Sequence, residues 1–107
     1  MALTKKEEQA LFKLKEELQK KYKIFDFKLY GSKARGTDEP DSDIDVMVEL
    51  EEVNPDVRRK TSEIVAEINL EYDCFISIIW FSRKELEEGP MSESPLYKAI
   101  LREGIAI

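Results

Sequence analysis

The sequence predicts a small α/β (α+β) domain: a mixed β-sheet with helices packed on it. Two observations predict this. Three short segments, 24–30, 43–49 and 74–81, have the alternating or continuous apolar pattern of strands. Between and around them lie segments whose apolar residues recur at helical spacing, each opened by a capping residue. The chain has 107 residues, 42% of them apolar and 37% charged. That suits one domain, residues 1–107, with one modest core.

Thr4 and Glu7 have the spacing of a capping box, and Leu11, Leu14, Leu18 and Tyr22 then share one helical face. The next segment, Ile24–Tyr30, alternates. It puts Phe25, Phe27 and Leu29 on one side and Asp26 and Lys28 on the other. Residues 37–42 read as a polar loop around Pro40. Strand 43–49 follows, with Ile44, Val46 and Val48 on the face opposite Asp43 and Asp45.

Asn54 and Pro55 suit the N-cap and first position of a helix. Val57, Thr61, Ile64, Val65 and Ile68 mark its buried face, and Arg58, Arg59 and Lys60 read as solvated. Segment 74–81 is nearly all apolar, so a central strand covered on both faces is expected. Ser82 and Glu85 suggest a second capping box, and Gly89 with Pro90 ends a short helix. Ser94 and Pro95 open the last helix, whose core side is Leu96, Ala99 and Ile100 and which Gly104 stops. The expected order is α-β-α-β-α-β-α-α.

Composition narrows the function. The net charge of −6 argues against a general nucleic-acid binder, which carries a basic face. With no histidine in the chain, imidazole chemistry is excluded. Cys74 is the only cysteine, and its apolar setting suits an inert buried thiol. No apolar run approaches membrane-spanning length and no signal peptide is evident, so a cytoplasmic protein is expected.

The chemistry concentrates in residues 31–48, GSKARGTDEPDSDIDVMV. A strand running into Gly31 and Ser32 and then a helix start offers unpaired backbone N–H groups to an anion. Gly31 lets a phosphate approach the backbone, Ser32 adds a hydroxyl, and Arg35 adds a charged contact. Lys33 reads as exposed and without a role. Asp43 and Asp45 point to one face of their strand, roughly 7 Å apart at about 3.3 Å per residue. Two such carboxylates repel, and a divalent cation with oxygen ligands, Mg²⁺ when phosphate is present, relieves the repulsion. Phosphoryl-type transfer needs that combination of positioning and positive charge.

Gly31-Ser32, ten intervening residues and then Asp43-Ile44-Asp45 resemble the signature of the minimal nucleotidyltransferases of the DNA polymerase beta superfamily. The longer patterns at 31–36 (GSKARG) and 42–45 (SDID) match as well. The resemblance implies a nucleotidyltransferase fold and two-metal, Mg²⁺-dependent transfer of a nucleoside monophosphate from an NTP, usually ATP, to a hydroxyl. It assigns Gly31 and Ser32 to the triphosphate and Asp43 and Asp45 to the metal. It further implies an antitoxin-like protein whose partner is a helical HEPN protein. The family's third carboxylate belongs on the third strand, where this chain has Ser77. Asp73, and less directly Glu71, are the nearby acids that could replace it if they share that strand's face. Without a third acid, turnover is expected to be slow, or the protein to neutralise its partner by contact. So small a chain also suggests a partner subunit or self-association that completes the site.

Overall fold

The computed structural model describes residues 3–37 and 42–107. Helix α1 (Lys5–Lys21) opens on the expected capping box: Thr4 accepts from the Glu7 amide, and Glu7 accepts from the Thr4 amide. Strand β1 (Ile24–Tyr30) leads into the short α2 (Gly31–Arg35). Strand β2 (Ile44–Leu50), helix α3 (Pro55–Tyr72) and strand β3 (Ile76–Ser82) follow. Asn54 caps α3 with Pro55 in its first turn. Then come α4 (Arg83–Glu88), a 3₁₀ segment (Pro90–Glu93), α5 (Pro95–Glu103) and β4 (Ile105–Ala106). The loop expected around Pro40 lies outside the described residues.

The sheet is mixed, as expected, in the order β3-β2-β1-β4. Strands β1 and β2 run antiparallel, β2 and β3 parallel, and β4 antiparallel to β1. On one face Leu11, Leu14 and Leu18 of α1 and Ile68 of α3 pack on Phe27, Leu29, Ile44, Val46 and Val48. The other face carries a smaller cluster of Met47, Phe81 and Ile100, flanked by Tyr30, Ile79, Leu86 and Tyr97. Leu14 is fully buried in the larger cluster. Leu14→Ala is expected to cost about 2–5 kcal/mol in urea unfolding, through lost burial and the cavity left behind.

Three expectations are corrected. Strand β3 lies at the sheet edge, and β2 is the strand covered on both faces. The apolar run of β3 is instead split: Ile76 and Ile78 join the larger cluster, Ile79 and Phe81 the smaller. Phe25 leaves the side of Phe27, because a register shift between Ile24 and Asp26 interrupts the alternation. The Arg83 guanidinium lies 4.4 Å from the centre of the Phe25 ring, and Arg83 also binds the buried Glu49 at 2.6 Å. Finally, Gly104 does stop the last helix, but the chain then adds β4, a strand too short for its pattern to signal.

Candidate active site

The geometry of the site begins at a clash that glycine avoids. Gly31 follows β1 and opens α2 with φ +73°, a left-handed conformation that favours glycine. A Cβ built there would lie 2.5 Å from Oδ2 of Asp45. The turn and the acidic strand therefore touch, with only hydrogen between backbone and carboxylate. Asp45 is held there by the ladder, because it pairs with Tyr30 on β1 and with Ser77 on β3. Asp43 precedes β2 and is exposed, Ile44 is buried, and Asp45 is half-buried. That alternation is the expected one.

The electrostatics tie the same residues together. Burial pushes the Asp45 carboxyl above the usual aspartate range, the charge of Asp43 pushes it further, and Arg35 opposes both. Tyr30 is raised as well, by burial and by the charge of Asp45. An acid whose pKa rises on folding holds more protons in the folded state between its ordinary value, about 3.9, and its raised one. Stability falls as pH increases through that window, and the loss persists at neutral pH. Metal-free Asp45→Asn is therefore expected to melt above the wild type at pH 7, the difference vanishing below about pH 3.9. Thermal unfolding at both pH values checks this, and a lower midpoint for the variant at pH 7 would contradict it.

Helix α2 has no side-chain cap, whereas Thr4, Asn54, Ser82 and Ser94 cap α1, α3, α4 and α5. Its N-cap residue, Tyr30, thus offers the first amides no side-chain acceptor. Arg35 is exposed and lies 3.9 Å from Glu103 of α5. Lys33 corrects another expectation. It is 3% exposed, and its ammonium lies 3.2 Å from the Glu7 carboxylate. Glu7 also completes the capping box of α1, so one carboxylate fastens α2 to the start of that helix. No spacing rule joins residues 7 and 33, and the tie was therefore invisible in the sequence.

Asp73 does not lie on β3. It is the left-handed C-cap of α3, with φ 49°. It lines a separate polar cleft with Thr4, Lys6, Glu7, Ser42, Cys74 and Phe75. Glu71 lies within α3 and is likewise off the strand. Because α3 runs to Tyr72, neither acid shares the face of β3, and their even spacing from Ser77 carries no weight. Cys74 is buried, and burial raises its thiol pKa, as suits an inert thiol.

Among the described residues, no three acidic, cysteine or histidine side chains gather into a metal-holding group. The donor set of Asp43 and Asp45 is hard, anionic and mutually repulsive, and it fits one divalent cation of the Mg²⁺ type. At the ladder position beside Asp45 on β3 stands Ser77, not an acid.

Comparison with known proteins decides the family. The nucleotidyltransferase domain family matches residues 11–107. The chain belongs to that family. No curated protein matches this nucleotidyltransferase domain. Among solved structures it is similar to a chain of a toxin–antitoxin crystallised with AMP-PNP. The TM-score is 0.63 at 20% identity, over 92% of this chain and 70% of that one. It is also similar to a chain of a mutant MntA–HpeT toxin–antitoxin, with TM-score 0.60 and 20% identity, over 94% and 70% of the two chains. At that identity the likeness is one of fold. Among the described residues, no helix is long and apolar enough to cross a membrane.

Proposed function

We propose that this nucleotidyltransferase moves AMP from ATP onto a hydroxyl of a partner protein, in the manner of an antitoxin that modifies a HEPN-type toxin. The observation that carries this reading is the left-handed Gly31 turn pressed against the Asp45 carboxylate, with Asp43 and Arg35 acting on the same group. A triphosphate laid on the Gly31–Ser32 turn meets backbone amides, a hydroxyl and the Arg35 guanidinium. Asp43 and Asp45 would hold Mg²⁺, which would supply positive charge where the phosphates develop negative charge. The acceptor oxygen bonds to the α-phosphorus, and the bond from that phosphorus to the bridging oxygen breaks. Pyrophosphate leaves. Strand β3 carries no acid to take the hydroxyl proton, which passes to water. The supporting structural neighbours come from toxin–antitoxin crystals, one with an ATP analogue.

The test is transfer of α-labelled AMP, with Mg²⁺, to a protein that co-purifies with the chain. Labelling of that protein supports the reading, and its absence in the wild type rejects it. Ser77 favours a second reading, neutralisation of the partner by contact alone. If Asp45→Asn still protects cells from the partner, contact suffices.

Ser77→Asp separates the two readings further. It places a third carboxylate next to Asp45 in the ladder. Transfer at limiting Mg²⁺ is expected to rise about tenfold, since a further carboxylate would hold more tightly the cation that supplies charge stabilisation. Initial rates across a Mg²⁺ titration measure it. An unchanged rate would show that Ser77 does not limit the reaction.

A further inference from the structure

A cleft of about 240 Å³ lies between α2 and α5, walled by Tyr30, Gly31, Arg35, Leu96, Ala99, Ile100 and Glu103. We infer that it receives the nucleobase of the nucleotide whose phosphates rest on the Gly31–Ser32 turn. The inference rests on the transferase reading and adds where the nucleoside lies.

Residues 96, 99, 100 and 103 form a single stripe of α5 at helical spacing, turned toward α2. Protein interiors normally close such a gap. Here the short side chain of Ala99 leaves it open. Small-molecule sites usually span about 300–1,000 Å³, so this cleft suits one end of a ligand rather than a whole one.

Two of its walls, Gly31 and Arg35, already belong to the phosphate site, so the occupant must lie close to the phosphates. The walls also match the chemistry of a base. Leu96, Ala99 and Ile100 give an apolar surface for a flat ring. The Glu103 carboxylate, 3.9 Å from Arg35, only accepts hydrogen bonds, which suits an amino-bearing edge. The opposite flank of Asp45 runs past the exposed Ser77 to the sheet edge. That side stays open to a protein acceptor.

The test compares ATP with inorganic tripolyphosphate by calorimetry in Mg²⁺. Wild type is expected to bind ATP about tenfold tighter than tripolyphosphate, the base adding roughly 1.4 kcal/mol. Ala99→Phe, which fills the cleft, should erase that advantage and leave tripolyphosphate affinity unchanged. Leu96→Glu is the second variant, at a side chain 44% exposed and so tolerant of change. It should do the same. Equal affinity of wild type for the two ligands would overturn the inference while sparing the transferase reading. So would variants that leave ATP binding intact or weaken both ligands alike. If wild type takes up neither ligand, the transferase reading falls and this inference with it.

Discussion

Asp45→Asn is expected to cut nucleotidyl transfer by about 100- to 1,000-fold, the usual loss when a charge-stabilising group is removed from a reacting centre. The chain should stay folded. Asp45 contributes nothing to the larger apolar cluster, and folding raises its pKa, so neutralising it removes a cost. A loss of activity without a loss of stability is the signature of a functional carboxylate. Initial rates and melting curves on the same preparation measure both. Full activity in the variant would remove Asp45 from the site. Lost activity accompanied by unfolding would mean that the side chain serves the fold.

Gly31→Ala is expected to weaken nucleotide binding by at least about tenfold and to destabilise the chain, because two effects add. The first is the left-handed backbone, which costs any residue with a Cβ about 1–2 kcal/mol. The second is steric, since the new methyl would sit 2.5 Å from Asp45 Oδ2 and must push the carboxylate away. Gly36→Ala is the matched control. Gly36 has φ +74°, nearly the same as Gly31, but no described residue lies within 4 Å of the Cβ position. It should show the backbone cost alone, with nucleotide affinity within about twofold of wild type. The difference between the variants, read by urea unfolding and calorimetry, isolates the contact between turn and carboxylate. Equal behaviour would mean that the contact carries no weight.

Much of this site was legible because its parts are local. The Gly31–Ser32 turn and the Asp43–Asp45 pair each follow from the chain's own periodicity, and the ladder then brings them together. Ser77 stands out through the resemblance, which puts a third acid on that strand, whereas its register with Asp45 is set by the parallel ladder and is not readable from the sequence. What failed was non-local or depended on an element boundary. Whether Asp73 and Glu71 share the strand's face depended on where helix α3 ends, and it runs to Tyr72. The buried Lys33 pairs with Glu7, 26 positions away. The Phe25 bulge was hidden because alternation cannot show an extra residue. Helix α5 was read correctly as a helix, yet Leu96 is exposed, since its stripe faces the cleft beside α2 rather than a packed surface.

Calorimetric titration of the wild-type chain with ATP, run with and without Mg²⁺ and repeated on Asp43→Asn and Asp45→Asn, tests the central claim most directly. Uptake that needs the cation, and that either substitution weakens by about tenfold or more, is the predicted result. Uptake indifferent to Mg²⁺ or to both substitutions, or no uptake at all, would contradict it.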